Sequence, residues 1–140
     1  MPIQPACAKG IKGKIEIVPE FINGLQDLDG FSHLILLYHF HLSENFELLV
    51  TPFLDTQVHG VFATRAPKRP NSIGMSVVKL TRIKENILYI EDIDVINKTP
   101  LIDIKPYIPD FETPEQIKTG WYRKEKTDIS KVRSDKRFKD

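Results

Sequence analysis

Two runs rich in Val, Ile, Leu and Tyr, residues 75–83 and 87–95, are separated by only three polar residues, Lys84-Glu-Asn86. Runs of this composition favour extended backbone, and a short polar spacer between them is typical of a β-hairpin. In the second run the apolar residues fall at period two, while the other face becomes acidic at Asp92 and Asp94. Because no segment has a long helical period, the hairpin predicts a mainly β chain.

The remaining strand candidates are short. Residues 33–41 are apolar on both faces, which favours a buried central strand. Residues 14–18, 46–50 and 60–64 predict further strands, and residues 21–28 predict a short helix or turn. Several short strands joined by turns indicate a single small β-barrel with short helices.

The length of 140 residues with 41% hydrophobic residues fits one domain. We expect its core at about residues 1–110 and a C-terminal extension at about 111–140. Within this extension, Thr113 and Pro114 predict the start of a short helix. The charged segment after Trp121 is interpreted as a solvated tail, although Trp121 and Tyr122 could pack against the barrel or a partner, and the basic residues could lie near RNA.

The expected cellular compartment follows from three features that the sequence lacks: paired cysteines, a membrane-spanning run and a secretory signal. A single cysteine, Cys7, excludes an internal disulfide framework, and nothing near it marks it as an activated nucleophile. No apolar run is long enough to span a membrane, and the N-terminus lacks a secretory signal pattern. We therefore expect a soluble, cytoplasmic protein. The 20 Lys and Arg residues nearly balance the 19 Asp and Glu residues, so the chain as a whole is close to neutral. A nucleic-acid partner would therefore have to bind a local patch of positive charge.

Such a patch lies in the stretch Gly60-Val-Phe-Ala-Thr-Arg-Ala-Pro-Lys-Arg-Pro-Asn-Ser-Ile-Gly74. Its two prolines fix the backbone and exclude a continuous helix or a central strand, and its three cations lie within five residues. A stiff cationic loop of this kind suits phosphate, carboxylate or a base edge, whereas the alternative is a solvated surface turn. The cations are Arg65, Lys68 and Arg69.

This stretch resembles the second motif of the TrmO family, also called TsaA-like or YaeB-like. Gly24-Leu-Gln-Asp-Leu-Asp-Gly-Phe-Ser-His33, continuing to Tyr38-His-Phe-His41, is similar to the first motif, and Thr99-Pro-Leu-Ile-Asp-Ile-Lys-Pro-Tyr107 to the third. The motifs occur in the family's order, and the resemblance as a whole extends over residues 2–109, as in a short, archaeal-type member. The resemblance implies a homodimeric β-barrel methyltransferase that uses S-adenosylmethionine on threonylcarbamoyladenosine beside the tRNA anticodon.

Candidate substrate and catalytic residues follow from the chemistry and spacing of these stretches, and the cofactor residues follow from the resemblance. Lys68 and Arg69 would contact RNA phosphates, and Asn71 would orient substrate or cofactor. Asp103, Lys105 and Tyr107 occupy alternate positions, so they would share one face of a strand, with Asp103 as proton acceptor and Tyr107 beside a base. The residues implied to bind the cofactor are Gln4, His41, Leu42, Arg65, Met75, Asp94, Val95, Ile96 and Asn97.

Each of these assignments has a simpler alternative. His39 and His41 could form a strand pair or contribute to a metal site, although two histidines without a third ligand are weak support for metal, and none is predicted. Asp94 could cap a strand end. Asp103 and Lys105 could form an ion pair that is only structural.

Two positions depart from the family pattern. Asn97-Lys98 replaces the usual Asp-Gly before Thr99-Pro100, and we expect Asn97 to accommodate positive φ there. Family members also carry an Ile-Gly-x-Ile strand before the Pro2-Ile-Gln-Pro5 segment. This sequence has no such strand, so we expect an exposed sheet edge unless another segment or chain covers it.

Three functions are compatible with these residues. The first is the tRNA methyltransferase described above. The second is a module that binds S-adenosylmethionine without catalysis, or a methyltransferase for a different RNA or small molecule. The third is a truncated or domain-swapped relic without a competent site.

Overall fold

The computed structural model describes residues 9–122. The described residues form seven strands, joined by short turns and 3₁₀ helices. The strands are β1 (Lys12–Glu16), β2 (His33–His39), β3 (Leu49–Val50), β4 (His59–Gly60), β5 (Ile73–Lys84), β6 (Ile87–Glu91) and β7 (Leu101–Pro106). The 3₁₀ helices are Pro19–Leu25, Leu28–Gly30 and Val61–Ala63, and the α-helix α1 is Pro109–Glu112.

Five of the strands form one antiparallel sheet in the order β1-β6-β5-β2-β7, and β3 pairs with β4 in a separate two-stranded ribbon. The long central strand β5 pairs with β6 through the predicted hairpin and with β2 on its other side. The mainly β class is thus confirmed. Within residues 9–122, β1 and β7 are the two edges of the sheet.

One face of the sheet holds the main hydrophobic core. Along β5 the buried positions alternate with exposed ones, as expected for a strand with one face turned to the interior. Complete burial of each large aliphatic side chain contributes about 2 kcal/mol. The buried core residues are Leu34, Leu36, Tyr38, Val78, Leu80, Leu88 and Ile90.

The hairpin turn is tighter than predicted. Lys84 belongs to β5, so only Glu85 and Asn86 form the loop, and Glu85 adopts a left-handed conformation with φ 54°. The strand predicted for residues 87–95 ends at Glu91. Asp92 is left-handed with φ 67° and its carboxylate accepts a 2.6 Å hydrogen bond from the Gly10 amide, so the chain leaves the sheet there.

Three other boundaries were predicted wrongly. The strand at residues 46–50 is reduced to Leu49–Val50. The strand at residues 60–64 is replaced after Gly60 by the 3₁₀ helix Val61–Ala63, because the Thr64 amide and hydroxyl both bond back to the Val61 carbonyl. Thr113 does not begin a helix but follows α1, where its amide bonds to the Pro109 carbonyl.

No helix in residues 9–122 is both long and apolar enough to cross a membrane.

Candidate functional site

Three loops meet at one end of the sheet, where β2 ends and β5 and β7 begin. The His39 amide donates to the Pro100 carbonyl at 3.0 Å, and the Phe40 amide donates to the Ser72 carbonyl at 2.8 Å. These bonds connect residues 40–43, 64–72 and 92–100, which we call the loop end of the sheet. Most of the residues implied by the sequence motifs lie here.

His41 and Leu42 occupy the first of these loops. The His41 amide bonds to the His39 carbonyl at 2.8 Å, so the backbone turns sharply and the two histidines do not continue β2 as a strand pair. Leu42 is 62% exposed and is free of the core. The described residues contain no group of three or more side chains arranged to hold a metal ion.

The cationic loop is ordered by its own backbone carbonyls. Arg69 Nη1 donates to the Thr64 and Ala66 carbonyls at 3.0 Å each, and the Ser72 hydroxyl donates to the Arg69 carbonyl at 3.1 Å. Arg69 therefore stiffens the loop from within. Lys68 is only 9% exposed, a position poorly suited to the predicted phosphate contact, whereas Arg65 is exposed.

A cleft of about 320 Å³ opens beside this loop. Two predicted substrate residues, Arg69 and Asn71, line it, and His39 lies on its wall. A guanidinium, an amide and an imidazole around one cleft suit a polar, hydrogen-bonding ligand. The other lining residues are Ser43, Glu44, Asn45, Phe46, Pro70, Ser72 and Ile73.

A buried hydrogen-bonded chain supports the loop end from inside. The Ser76 hydroxyl donates to Asp94 Oδ1 at 2.7 Å, and it lies 2.8 Å from the Tyr38 hydroxyl, which must then be the donor to Ser76. Burial raises the pKa of the Asp94 carboxyl, and the Ser76 hydrogen bond offsets part of this effect. Burial and the nearby Asp94 carboxylate raise the pKa of Tyr38 to about 12, against the opposing effects of Ser76 and Arg65.

Asp94 was predicted from the sequence as a site residue, but its two partners were not. Ser76 is 1% exposed on the core face of β5, a position where the strand pattern otherwise places aliphatic residues. A lone hydroxyl at an interior strand position was the available signal, because a buried polar group requires a partner.

In the loop that follows Asp94, positive φ was predicted at Asn97 but occurs at the next residue. Lys98, not Asn97, is left-handed, with φ 65°. The Asn97 side chain instead accepts the Lys98 amide at 3.1 Å, which fixes the turn. Val95 packs on the core and Ile96 is 46% exposed, so these two neighbours face in different directions.

The outer face of the sheet brings Met75 and Asp103 into one row. Leu37 of β2 pairs with Met75 on one side and with Asp103 on the other. Paired residues on adjacent strands lie on the same face of a sheet. The exposed Met75 and the Asp103 carboxylate therefore share the outer face, with Leu37 between them. This row, at the loop end, combines an apolar surface with an acid.

The Asp103–Lys105 ion pair, the alternative to a catalytic role, is present, with Nζ 2.8 Å from Oδ2. The hydrogen bond from Lys105 lowers the pKa of the largely exposed Asp103 carboxyl, which is therefore ionised at neutral pH. Tyr107 follows β7, and its amide bonds to the His33 carbonyl at the opposite end of β2. The structure thus separates Tyr107 from the loop end. Gln4 and Cys7 lie outside the described residues.

The C-terminal part of the described chain is attached beside the cationic loop. The Trp121 indole stacks on His59, with ring centroids 4.8 Å apart and an angle of 18° between the planes. Trp121 Nε1 also donates to the Ala63 carbonyl at 2.7 Å. Trp121 thus packs against the body of the domain, which was the alternative to a solvated tail.

Comparison with known proteins gives consistent results. The sequence model of the tRNA-methyltransferase O N-terminal domain matches residues 1–113. The chain is 51% identical over 138 residues to a probable S-adenosyl-L-methionine-binding protein of Pyrococcus abyssi, covering 99% of this chain and 75% of that protein. It is 33% identical over 123 residues to the human tRNA (adenine(37)-N6)-methyltransferase, covering 83% of this chain but 28% of that protein.

Solved structures agree with the sequence comparisons. The crystal structure of TrmO from Pseudomonas aeruginosa matches with a TM-score of 0.70 at 35% identity. The match covers 87% of this chain and 54% of that chain. This chain therefore spans about half of the solved protein and a smaller share of the human one.

Proposed function

The chain belongs to the TrmO family, as its motifs predict, and from this premise we propose that it binds S-adenosylmethionine and methylates N6 of threonylcarbamoyladenosine beside the tRNA anticodon. The observation that supports the proposal most directly is the convergence of three loops at one end of the sheet. Their convergence places the cationic loop, the cleft and the Met75–Asp103 row together. Relatives are named as S-adenosylmethionine-binding proteins and as tRNA methyltransferases.

The residues at the loop end fit the proposed cofactor. The exposed Met75 and Leu42 provide apolar surface for an adenine, the exposed Arg65 can pair with a carboxylate, and Asp94 provides acceptor oxygens for hydroxyl groups or a positive sulfur. When bound, S-adenosylmethionine supplies an electrophilic methyl group. We assign His41, Gln4 and the Val95-Ile96-Asn97 segment to the same site, in line with the family motifs.

In this proposal the chain's own residues position the acceptor and remove its proton. Arg69 and Asn71 hold the RNA at the cleft, and Lys68 supports the loop from inside. Asp103 accepts the N6 proton as the new carbon–nitrogen bond forms, and Lys105 keeps that carboxylate ionised. Tyr107 contacts RNA just beyond the far end of the same edge strand. Positioning is the main contribution of the protein to such a transfer.

Mass spectrometry of nucleosides tests the activity. tRNA carrying threonylcarbamoyladenosine, incubated with the protein and S-adenosylmethionine, is expected to gain one methyl on that nucleoside. Asp103→Asn is expected to lower the single-turnover rate by about 100-fold, the usual contribution of a general base. Asp29→Asn, an exposed carboxylate before the start of β2, is the matched control and should retain the wild-type rate.

Two results would contradict the proposal. Cofactor binding without methyl transfer, at excess protein in a single turnover, would support the alternative of a non-catalytic binding module. Methyl transfer to another nucleoside would support a methyltransferase with a different RNA substrate.

We further propose a homodimer that acts in the cytoplasm, with residues 1–140 as one domain, a core at about 1–110 and an extension at about 111–140. Support for the dimer comes from apolar side chains that are more than half exposed on or beside the β3–β4 ribbon, because a second copy of the chain would cover them. They are Phe46, Leu48, Leu49, Val58 and Phe62.

Sedimentation velocity tests the dimer. The wild-type protein is expected at twice the chain mass of 16.1 kDa. Leu49→Glu should dissociate it, because a charge would be buried in the interface. Ile102→Glu, also more than half exposed but on β7, is the control. A monomeric wild type, or a dimer that only Ile102→Glu dissociates, would contradict this interface.

A further inference from the structure

The half of the outer sheet face that lies away from the loop end is rich in cations. Strand register places three rows of side chains there, across β1, β6 and β5. Paired residues lie on the same face of a sheet, and the opposite face of these strands holds the hydrophobic core. Starting from the loop end, the rows are Lys12, Glu91 and Lys79, then Lys14, Tyr89 and Arg82, then Glu16, Ile87 and Lys84. We call the five cations of these rows the basic face.

A bulge in β5 brings Arg82 to this face. The register between β5 and β6 shifts between Leu80 and Arg82, so the period-two pattern of β5 changes sides at Thr81. The Thr81 hydroxyl donates to the Tyr89 carbonyl at 2.9 Å, which holds the bulge in place. Arg82 therefore pairs with Tyr89, and its Cζ lies 4.1 Å from the centroid of the tyrosine ring. Lys14 approaches the same ring from β1, with Nζ 5.4 Å from the centroid.

The donors of these cations are available to a ligand. An aromatic ring fixes the plane of a guanidinium and leaves the N–H groups at its edge free to bind a phosphate through two parallel hydrogen bonds. All five cations of the basic face are exposed. Among residues 9–122 none of the five forms an ion pair, although Glu91 lies between Lys12 and Lys79.

The basic face stands out because the rest of the domain is acidic. Residues 9–122 contain 12 Lys and Arg residues but 15 Asp and Glu residues. The three rows hold five of these cations and only two of the carboxylates, which gives them a net charge of +3. A domain of net negative charge repels a polyanion except where cations are concentrated. Charge complementarity therefore favours a chain of phosphates as the occupant of this face.

The same face continues to the proposed methyl-transfer site. Met75 and Asp103 lie on it at the loop end, and Arg82 follows Met75 by seven residues along β5. At about 3.3 Å per residue, this separation is about 23 Å along the strand. An RNA whose modified base lies at the loop end would therefore extend its double-stranded stem over the basic face.

We propose that the basic face binds the phosphate backbone of that stem, with Arg82 as the central contact. The inference rests on the proposed function and adds a second contact surface to the cationic loop and the cleft. Proteins recognise double-stranded RNA mostly by its shape and by contacts with phosphates and 2′-hydroxyl groups. The basic face thus contributes affinity and orientation, and recognition of the base stays at the loop end.

Salt dependence of RNA binding tests the proposal in the full-length protein. The test variant is Lys14→Gln with Arg82→Gln, and the control is Lys9→Gln with Lys118→Gln, which removes the same charge from exposed positions outside the sheet. The probe is a fluorescent anticodon stem-loop RNA, titrated over a range of salt concentrations. The slope of log affinity against log salt should fall in magnitude by about 1 to 2 in the test variant, because each neutralised phosphate contributes about 0.7 to 0.9. The control should keep the wild-type slope.

A carboxylate within the three rows permits a test in the opposite direction. Glu91→Gln removes the negative charge between Lys12 and Lys79, so RNA binding should strengthen by about threefold at low salt. Glu20→Gln, in an exposed 3₁₀ helix, is the matched control and should change the affinity less. A damaged fold does not produce a gain of affinity, so the gain would support contact between this face and a polyanion.

The outcomes separate this inference from the proposed function. Methyl transfer by the wild type, with equal salt slopes in the test and control variants, would leave the proposed function in place and overturn the inference. If the test variant instead lost affinity only for vesicles of anionic lipid, the face would bind a lipid surface and the inference would be wrong. A reduced slope in the test variant without methyl transfer would support the basic face and contradict the proposed activity. A wild type that does not bind the stem-loop RNA would exclude both.

Discussion

Gly74→Ala is expected to lower the free energy of unfolding by about 3 kcal/mol or more, the upper range for forcing extra volume into a packed interior. A Cβ atom at this position would lie 2.7 Å from Tyr38 Cζ and 2.8 Å from Phe40 Cζ, and it would contact Tyr38 Cε2 as well. The aromatic rings are packed edge to face with centroids 5.6 Å apart. The Tyr38 ring cannot withdraw easily, because it is buried and its hydroxyl is hydrogen-bonded to Ser76.

Thermal and urea unfolding measure this effect. We expect the melting temperature of Gly74→Ala to fall by roughly 10 °C, given the usual few degrees per kcal/mol for a domain of this size. Gly60→Ala is the matched control, because Gly60 ends a strand at φ −62° and an added Cβ there meets no atom within 4 Å. Equal stability of the two variants would show that the rings accommodate the methyl group.

Asp94→Asn is expected to weaken S-adenosylmethionine binding by 10-fold or more without lowering stability at pH 7. An ionised acceptor contributes more to a ligand hydrogen bond than a neutral one, by about 1.5 to 3 kcal/mol for charged groups. The folded protein, in contrast, does not need the charge. The Asn carbonyl can still accept the Ser76 hydroxyl, and the cost of burying a carboxylate disappears.

The pH dependence of stability gives a second, independent test of Asp94. Burial raises the pKa of Asp94 in the folded protein above the ordinary value of 3.8. The folded state therefore binds the proton more tightly than the unfolded state, which stabilises the fold at pH values below 3.8. This stabilisation is lost as the pH rises through the folded pKa. The stability of the wild type relative to Asp94→Asn should therefore fall with pH in this acidic window. The difference between the two proteins removes the opposing contributions of Asp55 and Asp103, whose pKa values are lowered.

Asp92→Asn is the matched control for both measurements. Asp92 is two residues away, and Asn can retain both its left-handed backbone and the acceptor for the Gly10 amide. We expect cofactor affinity and acid stability close to wild type. If Asp92→Asn loses affinity and Asp94→Asn does not, the cofactor assignment at this loop is wrong.

The strands with strong apolar alternation were predictable from sequence, because burial of one face sets period two whatever the neighbouring elements are. The β5–β6 hairpin appeared where alternation predicted it, apart from its early end at Glu91, and β2 appeared where the continuous apolar run predicted a buried strand. Segments without a clear apolar pattern were not predictable, because single hydrogen bonds determine the conformation of their backbone. Thr64 closes a 3₁₀ turn in a segment that was predicted to be a strand. Asp92 accepts the Gly10 amide at a position where the strand was predicted to continue.

The candidate site was predictable to the extent that its residues lie in motifs. The sequence identified Asp94, Arg69 and Asp103, but not the contacts that determine what each can do. Tyr38 and Ser76 are far from Asp94 in sequence and meet it only through strand pairing. Arg69 donates to two carbonyls of its own loop, three and five residues earlier, and the composition of the loop does not predict this local contact.

The two outer strands of the sheet have consequences for self-association. An open strand edge can template amyloid-like growth by adding further copies of itself. On β1 the exposed side chains are Lys12, Lys14 and Glu16, so a copy added in parallel register would bring like charges together. Strand β7 is bounded by Pro100 and Pro106, which interrupt the row of amide donors at both ends. The chain can thus reach the high local concentrations of a crowded compartment with little tendency to form fibrils through its edges.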